Sequence, residues 1–231
     1  MMNILKNKKV IFFDVGYTLD YPASGDWMII NKFNEICRIK DITLDKEKLQ
    51  KAKDTAVAFL SNNHLVFTED AEYEQFQKFY SIIDKELGLT LSDYEIQQIA
   101  YDRTYNMNNY IAYPDAVSVL GILSKEYKLG IISDTWPSIE HQLEALNLRQ
   151  YFSFATYSCN LGVFKPDERM YLDAIEKSGV RAEETIFIDD SVINLKGAAK
   201  CGITPILITA NPASDIETNF VKIHSLMELL Q

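Results

Sequence analysis

A chain of 231 residues, 47% of them apolar, can bury a substantial core, which sets it apart from disordered tails and fibres. Its 23 basic and 33 acidic residues leave a net charge of −10, which disfavours non-specific nucleic-acid binding but leaves room for an anionic substrate at a metal or a locally positive site. Cys37, Cys159 and Cys201 have no CxxC or Cys/His ligand spacing and no apolar run approaches a membrane span, so zinc, a disulfide framework and a membrane are not expected, and a cytoplasmic protein is.

In chain order, Val10-Ile11-Phe12-Phe13 predicts a short strand that is apolar on both faces, as in parallel sheets covered by helices; it is too short for a signal peptide. From Asp20 to Tyr113 no strand is expected. That stretch reads as four amphipathic helices of roughly 15–20 residues, with Ser92-x-x-Glu95 as a capping box for the last. Tyr101, Tyr105, Tyr110 and Tyr113 continue at near-helical spacing, and packing within the helices is favoured for them over an aromatic wall against a ligand. Buried strands are then predicted at 129–132, 186–188 and 206–208, with helices at 115–127, 137–146, 168–177 and 191–201. This alternation predicts an α/β fold: a Rossmann-like, doubly wound parallel core made of 1–19 and 114–231, with a helical domain, 20–113, inserted after the first strand.

Polar residues follow each predicted strand, where open α/β sheets collect ligands. Asp14-Val15-Gly16-Tyr17-Thr18-Leu19 follows the first and Ser133-Asp134-Thr135 the second; Lys165-Pro166-Asp167 lies in a loop, and Asp189-Asp190-Ser191 ends a later strand. A single Asp after a strand reads as a turn residue or a helix cap. Four such segments at one end of one predicted sheet read as a site.

These segments resemble the motifs of the haloacid dehalogenase superfamily, which includes many phosphatases. DVGYTL is similar to its first motif, Ser133 in IISDT to its second, Lys165 in GVFKPDERMY to its third, and FIDDSVINLKGAAKCG to its acidic fourth. The resemblance implies that 20–113 is an α-helical cap and that the chain is a hydrolase of a small phosphorylated metabolite. It also implies that Asp14 is the nucleophile, forming an aspartyl phosphate, which splits one hard hydrolysis into two easier steps. Ser133 and Lys165 would serve the phosphoryl oxygens, and backbone groups around Gly16, Tyr17 and Asp134 would add substrate contacts. Mg²⁺ would be held by Asp14, the Gly16 carbonyl, Asp190 and, directly or through water, Asp189.

Gly16 stands where the family's phosphatases carry a second Asp that protonates the leaving oxygen, assistance worth about 10²–10⁴ in rate. Tyr17 stands where glycine is common, so a glycine's freedom at positive φ is expected to have moved to Gly16. Two alternatives follow: a phosphometabolite-binding or regulatory protein without catalysis, and a 2-haloacid dehalogenase, whose halide needs no proton. Retention of the Asp189-Asp190 pair favours the phosphatase over the dehalogenase. His64, His141 and His224 are read as solvated or packed side chains that do not replace the missing acid; His64, in the insertion, is the one that could reach a site from a cap, and that reading is disfavoured.

Overall fold

The computed structural model describes residues 3–231. Its main sheet has six strands: β1 (Val10–Phe13), β4 (Lys128–Ser133), β5 (Phe152–Tyr157), β6 (Thr185–Asp189), β7 (Thr204–Ile208) and β8 (Val221–Ile223). They run in the order β5-β4-β1-β6-β7-β8, each pair parallel. A separate two-stranded ribbon joins β2 (Asp20–Pro22) to β3 (Tyr110–Ala112). The helices are α1 (Asn31–Ile39), α2 (Lys46–Asn62), α3 (Glu69–Leu87), α4 (Asp93–Tyr105), α5 (Ala116–Leu123), α6 (Ile139–Ala145), α7 (Ser158–Leu161), α8 (Glu168–Ser178) and α9 (Val192–Lys200).

The chain divides into two compact units. Of the described residues, one comprises 3–21, 112–135 and 143–231; the other comprises 22–111 and 136–142. The first is the α/β unit. All four residues of β1 are fully buried, as an apolar strand in the middle of a parallel sheet must be. Val10 and Phe12 pack with Phe187, Met170 and Tyr171 of α8, and Leu195 of α9. Ile11 and Phe13 alternate to the opposite face. Gly197 is where α9 crosses closest to the loop before α8. A Cβ there would lie 2.8 Å from Pro166 and from Tyr171, so only glycine lets α9 seat against the segment that carries Lys165.

In the helical unit, Phe33, Phe76, Phe79, Tyr80, Ile83 and Ile99 form a core with Trp136. Each buried aromatic or large aliphatic side chain stabilises by about 1.5–3 kcal/mol relative to exposure. Local chemistry marks the helix ends. The Asp45, Thr68 and Ser92 side chains cap α2, α3 and α4, the last in a full capping box with Glu95, and Gly88 at φ +62° closes α3.

The insertion differs from expectation in three details. It contains two short strands, β2 and β3; α1 has only 9 residues; and the helical tyrosine spacing ends with α4. Tyr101 and Tyr105 are on that helix, Tyr110 is on β3, and Tyr113 lies beyond it. β5 was also unforeseen, because Phe-Ser-Phe-Ala-Thr-Tyr is a half-polar edge strand without the continuous apolar run of its neighbours.

Candidate active site

Because the strands are parallel, their C-terminal ends share one edge of the sheet, and the polar segments gather there. Asp14 follows β1 directly, and its N–H donates to the Ile188 carbonyl of β6 at 2.9 Å. Asp189 ends β6, with Asp190 next in the chain. Ser133 ends β4, the neighbour of β1 on its other side, and is buried. Lys165 arrives from the loop before α8. Its backbone N–H donates to Asp134 Oδ1 at 2.9 Å, which fixes the loop against the end of β4.

The Lys165 ammonium is the hub of the cluster. It lies 2.7 Å from Asp14 Oδ1, 2.8 Å from Asp189 Oδ2 and 3.2 Å from the Ile132 carbonyl, with its side chain almost wholly enclosed. Burial works against its charge, yet Asp14, Asp189 and Asp134 hold its pKa above the ordinary lysine value. Burial pushes the Asp14 carboxyl well above the usual carboxylate range; Lys165 pulls it back, and Asp189 and Asp190 push it up again. Burial and the Asp189 charge raise Asp190 to about 6, opposed by a hydrogen bond from Ser214 and by Lys165. Asp134 is raised as well, mainly by burial.

Carboxylate oxygens of Asp14, Asp189 and Asp190 all lie within 4.8 Å of one another. One lysine cannot balance three such groups, and an all-oxygen donor set suits a hard divalent cation. The residues therefore fit Mg²⁺, with unequal parts. Asp189 is already crowded with donors: Ser191 N–H to Oδ1 at 2.7 Å, Asn194 Nδ2 to both oxygens at 3.2 Å, and Lys165 to Oδ2. Asp190 and Asp14 have more capacity left for a cation. Asn194 owes its place to α9, whose N-cap Ser191 accepts the Asn194 N–H.

The loop after Asp14 departs from expectation. The residue at positive φ is Tyr17, at 56°, and Gly16 is not among the left-handed residues. The left-handed turn thus stays at position 17 and is imposed on a tyrosine, at a cost of roughly 1–2 kcal/mol. Tyr17 N–H donates to the Asp20 carbonyl at 2.7 Å, and the Val15 carbonyl accepts from Thr18, Leu19 and Asp20. Tyr113 adjoins this loop, donating its N–H to the Leu19 carbonyl at 2.9 Å. Its hydroxyl pKa is raised to about 12, by burial first and then by Asp190 and Tyr17.

His64 lies within the helical unit, 2% exposed, its ring edge-on to Trp136 at 5.0 Å. His141 pairs with Glu69 at 2.7 Å, and His224 Nδ1 meets Thr209 Oγ1 at 2.7 Å. Sequence reading overlooked Ser214, whose Oγ donates to Asp190 Oδ2 at 2.8 Å. A serine 24 positions downstream in an irregular turn carries no local signal of such a contact.

Known proteins resemble this chain in sequence and in fold. The model of the haloacid dehalogenase-like hydrolases matches residues 9–202. A 2-haloacid dehalogenase of Burkholderia cepacia, (S)-2-haloacid dehalogenase 4A, is 28% identical over 58% of this chain and 60% of its own. Glyceraldehyde 3-phosphate phosphatase of Methanopyrus kandleri is 26% identical over 46% of each chain. The chain thus spans less than two thirds of either relative. The HAD-hydrolase YfnB of Bacillus subtilis, solved bound to magnesium, shares the fold at TM-score 0.69, with 18% identity and 97% of both chains covered. Among the described residues, no helix is long and apolar enough to cross a membrane.

Proposed function

Starting from the fact that this chain belongs to the haloacid dehalogenase-like hydrolases, we propose that it is a magnesium-dependent phosphatase of a small phosphorylated metabolite. The observation that carries this reading is the convergence of Asp14, Asp189 and Asp190 within 4.8 Å of one another, with the buried ammonium of Lys165 against Asp14 and Asp189. An excess of carboxylate is costly unless a dication and a phosphoryl group complete the site. Carbon–halogen hydrolysis has no use for a metal-binding acidic pair.

In this scheme Asp14 attacks phosphorus, its carboxylate oxygen forming the new P–O bond as the bond to the leaving oxygen breaks. Water then attacks the aspartyl phosphate, releasing phosphate and restoring Asp14. Lys165 pulls the Asp14 carboxyl toward its ionised form and faces the developing charge on the phosphoryl oxygens. Ser133 donates to one of those oxygens, and backbone N–H groups around Gly16, Tyr17 and Asp134 add donors. Asp14, the Gly16 carbonyl and Asp190 would hold Mg²⁺, with Asp189 steadying the set. When bound, the ion neutralises charge so that an anionic nucleophile can approach an anionic phosphate. Gly16 offers no acid, so the reading favours substrates whose leaving oxygen departs as a stabilised anion or supplies its own proton. We assign the helical unit the role of a cap that keeps bulk water from the acyl phosphate.

The experiment is phosphate release from an activated aryl phosphate and a panel of sugar and nucleotide phosphates, with and without Mg²⁺, for the parent and Asp14→Asn. The parent is expected to need magnesium, and Asp14→Asn to retain less than about 10⁻³ of its turnover. Full magnesium-dependent turnover by Asp14→Asn would sink the scheme. Fluoride or chloride release from a 2-haloacid, with no phosphate release, would favour the reading suggested by the Burkholderia relative and by the missing acid at Gly16. Magnesium binding without either product would favour a phosphometabolite binder.

A further inference from the structure

We propose that Ser214 is a positioning residue for the metal site, fixing the Asp190 carboxylate by a hydrogen bond from a segment downstream of the four motifs. The inference rests on the metal assignment made above, and on nothing concerning the substrate. Ser214 closes a one-turn helix, Pro212–Ser214, in the connection between β7 and β8. β7 lies next to β6, so this connection leaves the sheet at the same edge as Asp189 and Asp190. The turn is internally braced. Asn211 Oδ1 accepts the Ala213 N–H at 3.1 Å, its carbonyl accepts the Ser214 N–H at 2.9 Å, and Pro212 fixes φ at the first position. Ser214 is 6% exposed and its Oγ donates to Asp190 Oδ2 at 2.8 Å.

The two adjacent aspartates are held in different ways. Asp189 is fixed by Ser191, Asn194 and Lys165, groups supplied by the fourth motif and its following helix or by the third motif. Asp190 takes its side-chain hydrogen bond from residue 214, beyond the segment 9–202 that matches the family. A carboxylate that ligates a small octahedral cation gains from having its plane set beforehand, and hydrogen bonds to ligands do this. A serine hydroxyl suits the task because it donates without adding charge, leaving the anion's attraction for the cation intact. The connection that carries Ser214 thereby becomes part of the metal site, although no ligand comes from it.

The test is direct Mg²⁺ binding by calorimetry to the full chain, for the parent, Ser214→Ala and Ser214→Thr, with the melting temperature of each metal-free protein alongside. Ser214→Ala is expected to weaken magnesium binding about 10-fold, within the range seen when groups supporting a metal ligand are removed. Its metal-free melting temperature should stay close to the parent's, and Ser214→Thr, which keeps the hydroxyl, should recover most of the affinity. In turnover, the magnesium concentration for half-maximal rate should rise by a larger factor than kcat falls. Unchanged magnesium affinity in a folded Ser214→Ala protein overturns the inference. So does equal weakening in Ser214→Thr, which would make the position a packing site only. Because binding is read without turnover, a parent that binds magnesium but releases no phosphate would count against the phosphatase and leave this test intact.

Discussion

Among the described residues, each unit buries one cation among carboxylates, and the two clusters are built to opposite ends. In the helical unit, Arg103 is 6% exposed and faces a single acid, Glu72, at 3.8 Å. It donates to the Tyr110 hydroxyl at 2.6 Å and lies over the Phe76 ring, 4.5 Å from its centroid. Glu72 is completed by the N–H and Oγ of Ser138, at 2.8 and 2.7 Å. Charges there balance one for one. In the α/β unit, Lys165 serves Asp14 and Asp189, with Asp134 close enough to act on the Lys165 charge and Asp190 on the Asp14 carboxyl. A balanced buried pair answers the cost of its own burial and serves architecture; an unbalanced one is finished only by something from outside. The choice of cation fits. Arg103 spreads its charge over a planar fork that stacks and bonds at once, whereas Lys165 presents a compact charge at one point.

The sharpest way to break this contrast is Lys165→Met. Turnover is expected to fall by about 10²–10³, the scale for losing one preorganised donor to a developing oxyanion. The metal-free protein should also lose about 3–5 kcal/mol of stability, because buried carboxylates lose their only nearby ammonium. Magnesium should then raise the variant's melting temperature more than the parent's, since the cation meets more unopposed negative charge. Equal magnesium shifts in the two proteins, read by calorimetric melting, would show that Lys165 does not set the charge of the site.

Glu72→Gln tests the other cluster. Gln keeps an oxygen for Ser138 but leaves Arg103 buried without a counter-charge, and a loss of about 3–5 kcal/mol is expected in denaturant unfolding. Adding Arg103→Met should restore a large part of that loss, as replacement of a whole buried pair often costs little. Magnesium affinity should be the same in both variants. If the single and double variants are equally destabilised, the cluster matters through shape and hydrogen bonding and not through paired charge.

The two regions were not equally legible in the sequence. β1, β4, β6 and β7 announce themselves as apolar runs because they are buried on both faces, and Asp14, Ser133, Lys165, Asp189 and Asp190 follow from where those runs and the intervening loop stop. Balanced burial leaves no such mark. Glu72 lies in the sequence Glu69-Asp70-Ala71-Glu72, which reads as the acidic first turn of α3, and nothing local shows that Ser138 will meet it 66 positions later. Ser214 was hidden by the same kind of distance from Asp190. The left-handed backbone at Tyr17 was misplaced because residue preference moved the glycine to 16 while the turn geometry kept the strained position at 17. In each case the sequence shows what a segment is, and the long-range partner decides what it does.

The smallest predicted effect separates a buried histidine from the buried carboxyls by the sign of its response to acid. Burial lowers the His64 pKa to about 4 from an ordinary 6.5, so the fold keeps this ring neutral. Below pH 6.5 the unfolded chain takes up a proton that the folded one refuses until near pH 4, and the stability held at neutral pH is lost across that window. The raised carboxyls of Asp14, Asp134 and Asp190, the last at about 6, work in reverse: the folded chain binds their protons more tightly, so acidification relieves the site. Glu72, raised chiefly by burial, shares that sign. Whole-protein stability against pH therefore mixes opposed contributions, and His64→Leu isolates one of them. Between pH 7 and 4 the parent is expected to lose about 3 kcal/mol relative to the variant, the change starting near 6.5 and levelling once the pH has fallen through 4. If the two proteins keep a constant difference over that range, His64 takes its proton in the folded state as readily as in the unfolded one, and its burial against Trp136 does not govern the acid response.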